Sequence, residues 1–145
     1  MRAPPVHSAR FEELTARTFH DIVRLRVDIF IVEQDCPYRE LDGRDILPTT
    51  DHLWVEEDGG VVSYLRMYPG DEGATWIGRV VTASPHRGRG LGSLLMRHAL
   101  GRADRPIRIS AQARLAPWYE ALGFQRCGPD FLEDGIAHTP MRLGE

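Results

Sequence analysis

A glycine-rich turn between a strand-forming segment and a helix-forming segment constrains this chain more than any other feature. Its residues are Arg87-Gly88-Arg89-Gly90-Leu91-Gly92. The preceding segment, 74–82, has the composition of a strand, and apolar residues recur at helical spacing from Leu91 to about Arg102. A short strand is predicted at 106–111. Strand, glycine-rich turn, helix and strand together predict a βαβ unit with one parallel crossover.

The rest of the chain predicts antiparallel hairpins on either side of this unit. Two strand-forming runs flank Glu57-Asp58-Gly59-Gly60, and two more flank Glu133-Asp134-Gly135. The remaining predicted elements are a short strand at 9–14, a helix of about four turns from an N-cap at Thr18 to Gln34, strands at 52–56 and 61–68, a short helix at 117–122, and strands at 124–127 and 136–143. The pattern indicates a mixed α/β fold (an α+β mixed sheet) in one domain, 1–145, of which residues 1–8 form a flexible N-terminal extension.

Composition limits the classes of protein to which the chain can belong. It has 145 residues, of which 42% are hydrophobic, and this size and composition favour a single hydrophobic core. The net charge is -3, from 18 basic and 21 acidic residues. Both charge signs are interleaved, so the basic face that nucleic-acid binding requires is not expected. No apolar run approaches the ~20 residues that span a bilayer, and residues 1–10 lack a signal-peptide core. We therefore expect a cytoplasmic protein with neither a nucleic-acid nor a membrane partner.

Cysteine and lysine usage adds two further limits. Cys36 and Cys127 lie far apart in the sequence without metal-ligand spacing, so no metal site is expected. This cysteine usage favours a reducing compartment, and a disulfide between the two residues is the alternative. All 18 basic residues are arginine, which stays protonated at any workable pH. No side-chain amine can therefore act as a base or form a Schiff base.

The glycine-rich turn has the chemistry of a phosphate site. Glycines let backbone N–H groups approach a ligand, and the following helix N-terminus carries roughly half a positive charge. Guanidinium groups of the two flanking arginines pair with phosphate oxygens. The Gly-Lys-Ser/Thr of a nucleotide-triphosphate loop is missing, and the glycine spacing differs from a dinucleotide fingerprint. Two interpretations of the turn remain: it binds a different pyrophosphate carrier, or it is a mobile basic turn with no ligand.

Two motifs resemble the GNAT acyltransferase superfamily. Arg87-x-x-Gly90-x-Gly92 is similar to its R/Q-x-x-G-x-G/A motif, which binds the pyrophosphate of acetyl-coenzyme A, and Trp118-Tyr119-Glu120-Ala121-Leu122-Gly123-Phe124 is similar to its Y-E-x-x-G-F segment. The order of predicted elements also matches, so the resemblance covers nearly the whole chain after about residue 9. It implies an acyl-coenzyme A N-acyltransferase fold: a mostly antiparallel sheet with one parallel, splayed strand pair, flanked by helices.

Two other segments are similar to the ElaA-type subgroup of that superfamily. They are Arg26-x-x-x-Phe30-x-x-Glu33-Gln34-x-Cys36-Pro37-Tyr38 with Asp42-Gly43-x-Asp45, and Glu133-Asp134-Gly135-Ile136-Ala137-His138. This narrower resemblance implies the same fold and coenzyme and leaves the acceptor undefined.

The superfamily resemblance implies a role for each coenzyme-binding residue. The backbone of Val80, Val81 and Thr82 would pair with the pantetheine amides and polarise the thioester carbonyl. The pyrophosphate would lie on Arg87, Gly88, Arg89, Gly90, Leu91, Gly92 and Ser93. Gln112 stands where the family often has an asparagine that contacts the coenzyme. Tyr119 would be the general acid that protonates the leaving thiolate, since a phenol with an ordinary pKa of about 10 holds its proton at neutral pH.

The general base is the least determined part of the predicted site. Glu33 is the first candidate, because it lies at a helix end beside the presumed acceptor loop, where a partly buried carboxylate would suit the task. His52 or a water relay is the alternative, although a structural hydrogen bond is the safer interpretation of His52. Cys36 and His138 are assigned no catalytic role.

The loop between residues 35 and 51 is expected to shape the acceptor pocket. Asp42 and Asp45 are candidates for an acidic wall that selects a cationic amine, with turn-making and solvation as the alternative. Arg26 is expected to pair with a loop aspartate rather than to bind an acidic substrate.

The functional hypothesis is an acetyl-coenzyme A-dependent N-acetyltransferase that transfers the acetyl group directly to a primary amine of a small molecule or peptide. A non-catalytic acyl-coenzyme A sensor or interaction domain is the second hypothesis, and an enzyme like an acyl-homoserine lactone synthase is the third. The identity of the acceptor, transfer of acyl groups other than acetyl, and a homodimer paired through C-terminal edge strands stay open.

Overall fold

A computed structural model of the protein describes residues 3–144. Eight strands form one sheet in the order β1-β2-β3-β4-β5-β8-β6, with β7 paired to β8. The strands are β1 (His7–Ala9), β2 (Asp51–Glu57), β3 (Gly60–Pro69), β4 (Thr75–Thr82), β5 (Ile107–Gln112), β6 (Gln125–Arg126), β7 (Phe131–Glu133) and β8 (Ile136–Leu143). The pair β4–β5 is parallel and every other pair is antiparallel. The predicted mixed sheet and its single parallel crossover are therefore confirmed.

Three α-helices pack on the sheet: α1 (Ala16–Arg26), α2 (Leu91–Arg102) and α3 (Ala116–Ala121). Helix α1 continues as a π-helix over Val27–Glu33, and short 3-10 turns lie at Phe11–Glu13, Arg44–Ile46, Asp71–Gly73, Ser84–His86 and Ala113–Leu115. The wider hydrogen bonding of the π-helix, from Gln34 N to Ile29 O at 3.1 Å, is a feature that often marks functional sites. It carries the chain from α1 into the loop 35–50.

Two apolar cores lie on opposite faces of the sheet. Helices α2 and α3 cover one face, where Leu65 of β3 is buried among Leu95 and Met96. Helix α1 covers the other face, where Tyr64 packs with Ile22 and residues around it. Neighbouring residues of β3 thus alternate between the two cores, as the pleat of a strand requires. Burial of these two apolar clusters holds helices against both faces of the sheet.

The parallel pair β4–β5 separates soon after it begins. Only Thr75 and Trp76 of β4 are in register with β5, opposite Ile107 and Arg108. Further along β4 the register with β3 shifts between Tyr64 and Arg66, which is the signature of a β-bulge. The splayed strand pair expected from the family resemblance is confirmed, and the separation begins at residue 77 rather than at residue 80.

Four boundaries differ from the sequence predictions. His7 and Ser8 pair with β2, so the flexible extension expected over 1–8 does not include them, and Met1 and Arg2 lie outside the described residues. The strand expected at 9–14 is a 3-10 turn from Phe11. Helix α1 begins one turn earlier than predicted, because Thr15 accepts a hydrogen bond from the Thr18 backbone and so caps it. The C-terminal region holds three strands, since β7 forms the hairpin with β8 across Asp134-Gly135 and β6 pairs beyond it.

Both cysteines are free thiols, so the bridge between them is not formed. Cys36 is buried and donates to the carbonyl oxygen of Asp134 at 3.2 Å. Within the described range, no helix is both long enough and apolar enough to cross a membrane.

Candidate active site

A cleft of about 1340 Å³ opens where β4 and β5 separate. It is lined by most of the predicted site residues: Glu33, Val80, Val81, Thr82, Arg87, Gly88, Gly90, Gly92, Ser93, Gln112 and Tyr119. Arg89 and Leu91 do not line it. The sequence motifs, which lie up to 86 positions apart between Glu33 and Tyr119, therefore meet around one space.

The glycine turn, residues 87–93, presents bare backbone to this cleft. Gly88 and Gly90 have φ values of 80° and 77°, a left-handed conformation that favours glycine. A Cβ atom at either position would meet nothing within 4 Å. Gly90 is the N-cap of α2, and no side chain caps this helix end. The first backbone N–H groups of the helix thus lack internal partners and face an open space, which is the arrangement that binds phosphate groups.

The two arginines of the turn have different surroundings. Arg87 lines the cleft, donates from Nε to the Thr82 carbonyl at 3.0 Å and pairs with Glu33 at 2.7 Å. Arg89 points away and forms a two-pronged pair with Glu57, at 2.5 and 2.7 Å. The prediction that both guanidinium groups face the pyrophosphate is therefore wrong for Arg89. Sequence spacing could not show this, because Glu57 lies 32 positions away.

Leu91 also departs from its predicted place. Its side chain is 4% exposed and belongs to the core beneath α2, so only its backbone N–H is available at the turn. Gly92 lies next to Trp118 of α3, whose ring is 3.5 Å from the position of an added Cβ. A Cβ atom there would make an ordinary van der Waals contact, so the packing of α3 against the beginning of α2 does not require glycine.

Tyr119 lies on α3 at the inner end of the cleft and is 7% exposed. Its ring makes edge contacts with Trp118 and Phe124, which fix its direction. Burial raises the pKa of the Tyr119 phenol to about 12. A protonated donor is thus held at the separation of β4 and β5.

Gln112, at the end of β5, is held by two neighbours. Its side-chain nitrogen donates to Gln34 Oε1 at 3.1 Å, and its oxygen accepts from Arg114 at 3.0 Å. These bonds link the end of the π-helix to β5 across the cleft. The amide that the family resemblance placed near the coenzyme thus lies at the cleft wall, and both of its polar atoms already form hydrogen bonds.

Glu33 lies at the opposite wall, at the end of the π-helix. Its side chain is 43% exposed, and it pairs with Arg87. The expected partly buried carboxylate is therefore an exposed one, held in place by an ion pair. Its position beside the cleft agrees with the sequence prediction, whereas its surroundings do not.

His52 is fully buried in β2 and does not line the cleft. Its Nε2 lies 2.9 Å from the Asp45 carbonyl, and its Nδ1 lies 2.6 Å from the Tyr64 hydroxyl. Because a carbonyl only accepts, Nε2 carries the proton and Nδ1 accepts from Tyr64. Burial lowers the pKa of His52. The structural interpretation of this histidine is confirmed, and a role as general base is wrong.

An arginine–carboxylate cluster, buried at its centre and exposed at Arg44, lies between the loop 35–50 and the sheet. The cluster consists of Arg26, Arg44, Arg66, Arg79, Glu40, Asp42 and Asp45. Arg26 has no exposed surface, pairs with Glu40 and lies 2.7 Å from Asp45. The predicted pairing of Arg26 with a loop aspartate is therefore confirmed.

The acidic wall suggested for Asp42 and Asp45 is wrong, because arginines neutralise both carboxylates. Asp45 accepts from Arg26 and Arg66, and Asp42 accepts from Arg66 at 2.6 and 3.0 Å. Burial pushes the pKa of Asp45 upward, yet hydrogen bonds and charges from Arg26 and Arg66 outweigh it and hold this pKa below its usual value. The two aspartates thus anchor the loop and offer no free charge to an amine.

Two residues of the cleft region were missed by sequence reasoning. Arg79 lies in β4 with a φ of 54°, which is unusual for a residue with a Cβ. Ser63 of β3 is fully buried and lies 2.9 Å from Thr82 Oγ1 and 3.1 Å from the Val81 carbonyl. Neither stands in a recognisable motif, and only the register of β3 with β4 shows their importance.

The β7–β8 hairpin lines another part of the cleft. Cys36 contacts the turn at Asp134, and His138 lines the cleft while its Nδ1 lies 2.8 Å from the Ile136 carbonyl. The ring of His138 stacks on Phe131 at 5.8 Å. The bond from Cys36 to the Asp134 carbonyl thus joins the loop 35–50 to this hairpin beside the cleft.

Comparison with known proteins identifies the same architecture. The sequence profile of the family described as acetyltransferase (GNAT) domain matches residues 26–144. A UPF0039 protein of Mycobacterium tuberculosis is 46% identical over 135 residues, covering 90% of this chain and 86% of that protein. Protein ElaA of Escherichia coli is 32% identical over 136 residues, 89% of each chain.

Solved structures agree with the sequence relatives. An acyl-CoA N-acyltransferase from Pseudomonas aeruginosa superposes with a TM-score of 0.91 at 40% identity, covering 98% of this chain and 100% of that one. The crystal structure of Escherichia coli ElaA superposes with a TM-score of 0.88 at 29% identity, covering 96% and 98%. In both comparisons the superposition covers nearly the whole chain.

Proposed function

The chain belongs to the GNAT family of acetyltransferases, and from this premise we propose that it transfers an acetyl group from acetyl-coenzyme A directly to a primary amine of a small molecule or peptide. One observation carries the proposal. An uncapped helix N-terminus with two left-handed glycines opens onto the cleft between β4 and β5, and a buried, protonated tyrosine lies at its inner end. The three parts are what a diphosphate-bearing thioester needs: an anion site, a channel and an acid.

Binding of the coenzyme rests on backbone groups more than on side chains. The amides at the start of α2 would donate to the diphosphate oxygens, and the helix dipole adds a favourable field. Arg87 supplies a guanidinium within the cleft. Because Arg87 pairs with Glu33, a bound diphosphate would share or replace that carboxylate. Coenzyme binding would then loosen Glu33 beside the acceptor.

The transfer step would proceed by direct attack of the amine on the thioester carbonyl. Backbone N–H groups of Val80 and Val81 would stabilise the negative charge that develops on the carbonyl oxygen. As the tetrahedral intermediate collapses, the carbon–sulfur bond breaks, and the Tyr119 hydroxyl gives its proton to the leaving thiolate. Glu33, directly or through water, would accept the proton of the attacking amine. A nucleophilic residue is not required, and Cys36 is engaged with a carbonyl instead.

A kinetic comparison of two tyrosine variants tests this proposal. With an accepted amine, Tyr119→Phe should lower kcat on the order of 10²-fold, within the range typical for loss of a general acid, and leave coenzyme affinity unchanged. Tyr68→Phe removes a hydroxyl elsewhere in the cleft and should leave kcat close to the parent value. Since the pKa of Tyr119 is raised to about 12, its deprotonation should not reduce kcat between pH 7 and 9. An unchanged kcat in Tyr119→Phe would contradict the assignment of the acid.

The alternatives give different results in the same assays. A non-catalytic acyl-coenzyme A sensor would bind the coenzyme, transfer nothing to a broad panel of amines, and show no effect of Tyr119→Phe. An acyl-homoserine lactone synthase would form a lactone from an acyl carrier and S-adenosylmethionine. We propose the acetyltransferase because the buried phenol has no evident use in a sensor.

A further inference from the structure

We propose that Arg79 is a positioning residue: its side chain, anchored on Glu40 of the loop 35–50, holds the backbone bulge that directs Val80 and Val81 toward the acyl carbonyl. This inference rests on the proposed function, which supplies the acyl group. The inference concerns how β4 acquires its bulge, and the first experiment that tests it uses the free protein without substrate.

The bulge lies at Arg79 and Val80. Tyr64 of β3 faces Val81, and Arg66 faces Gly78. The single residue between them on β3, Leu65, is therefore opposite two residues of β4, which defines the bulge. Arg79 has a φ of 54°, where a Cβ atom is sterically disfavoured. Glycine would adopt this conformation freely, yet the chain has arginine here.

The Arg79 side chain is bound from several directions, which can compensate for that strain. Its Nε lies 2.9 Å from Glu40 Oε1 in an ion pair without a hydrogen bond, and its Nη2 donates to the Glu40 carbonyl at 3.3 Å. Asp42 lies 3.6 Å away, and the guanidinium lies over the Tyr38 ring at 5.5 Å. Tyr38 in turn donates to Glu40 at 2.6 Å. Glu40 is 4% exposed and also pairs with Arg26 of α1, so the anchor itself is fixed.

The anchor links two parts of the cleft that the sequence keeps apart. Glu40 belongs to the loop that shapes the acceptor end, and Val80 and Val81 form the wall where the thioester carbonyl would lie. A backbone donor acts only if it lies where the oxyanion develops, and complete loss of one such donor typically costs on the order of 10²–10³ in rate. Partial misplacement through a relaxed bulge should cost less.

Two substitutions at position 79 separate anchoring from strain. Arg79→Ala removes the anchor and keeps the Cβ atom in a disfavoured conformation. Arg79→Gly removes the same anchor and tolerates the bulge without strain. The positioning role predicts faster amide hydrogen exchange at residues 80–82 in the free protein, clearly more in Arg79→Ala than in Arg79→Gly, with residues 91–93 unchanged. Equal or absent acceleration in the two variants would overturn it, whether or not the protein proves to be an acetyltransferase.

Kinetics with an accepted amine provide the second readout. We expect kcat to fall on the order of tenfold in Arg79→Ala and less in Arg79→Gly, while KM for acetyl-coenzyme A changes little. Equal losses in both variants, or a rise in the acceptor KM alone, would show that Arg79 merely contacts the acceptor. If Arg79→Ala fails to fold, Glu40→Gln removes the charge of the anchor and should accelerate exchange at 80–82 relative to the parent protein. Unchanged exchange in that variant would contradict the proposal.

Discussion

The glycine turn and the arginine–carboxylate cluster form opposite parts of the same cleft and are built in opposite ways. The turn is a contiguous segment with open space at Gly88 and Gly90 and an uncapped helix end. The cluster joins residues 14 to 39 positions apart through ion pairs, apart from the local pair of Asp42 and Arg44. The turn offers free donors to a ligand, whereas the charges of the cluster are paired with one another. We infer that the first determines coenzyme binding and the second determines the shape and stability of the acceptor end.

The difference predicts that substitutions in the cluster act on stability. Arg26→Met keeps the bulk of the side chain and leaves Glu40 and Asp45 without their shared partner. Because removal of one member of a buried ion pair leaves uncompensated charge, we expect the free energy of unfolding to fall by about 3–5 kcal/mol. Urea unfolding measures this value.

Arg24→Met is the matched control for that measurement. Arg24 lies on the exposed face of α1, where such a change usually alters stability by less than about 0.5 kcal/mol. Equal, small effects of the two substitutions would contradict the view that the cluster supports the fold.

Substitutions in the turn should instead act on coenzyme affinity, and they should distinguish its two arginines. Loss of a charged hydrogen bond from Arg87→Ala should weaken acetyl-coenzyme A binding about tenfold. Arg89→Ala should leave the affinity close to that of the parent, since its guanidinium is turned toward Glu57. Isothermal titration calorimetry measures both. Equal weakening by both substitutions would show that Arg89 leaves Glu57 for the ligand.

A smaller effect should appear in the pH dependence of stability, through His52, which contacts the Asp45 carbonyl beside the cluster. An unfolded histidine takes up a proton below about pH 6.5, whereas burial lowers the pKa of His52 in the folded protein. The unfolded state therefore binds more protons in this range, and stability decreases as the pH falls. The free energy of unfolding should therefore decrease between pH 7 and pH 5.5, and the decrease should be larger the further burial lowers the pKa of His52.

Urea unfolding of His52→Gln and His98→Gln at both pH values isolates that contribution. His98 is exposed on α2, so its replacement should keep the slope, while replacement of His52 should flatten it. A slope that stays the same in His52→Gln would assign the pH dependence to other groups.

The sequence could predict the turn and its helix because the relevant information is local. Glycine spacing, the change from strand to helix periodicity, and the Tyr119 segment each lie within a few residues. The cluster was predictable only for Arg26, whose pairing with a loop aspartate follows from general arginine chemistry. The partners of Arg66 and Arg79, the orientation of Arg89 and the exposure of Glu33 depend on contacts between distant elements. The left-handed backbone of Arg79 contradicts its local preference, because tertiary contacts stabilise it.

Ligand-induced stabilisation of two glycine variants tests the role of the turn most directly. Gly90→Asp places a side chain and a negative charge where the diphosphate would bind, and Gly101→Asp adds the same group at the exposed C-terminal end of α2. At a hundredfold excess over its Kd, acetyl-coenzyme A should stabilise the parent and Gly101→Asp by about 2.7 kcal/mol in thermal unfolding, and Gly90→Asp should gain nothing at that concentration. Equal stabilisation of Gly90→Asp, or no stabilisation of the parent by millimolar acetyl-coenzyme A or coenzyme A, would contradict the account.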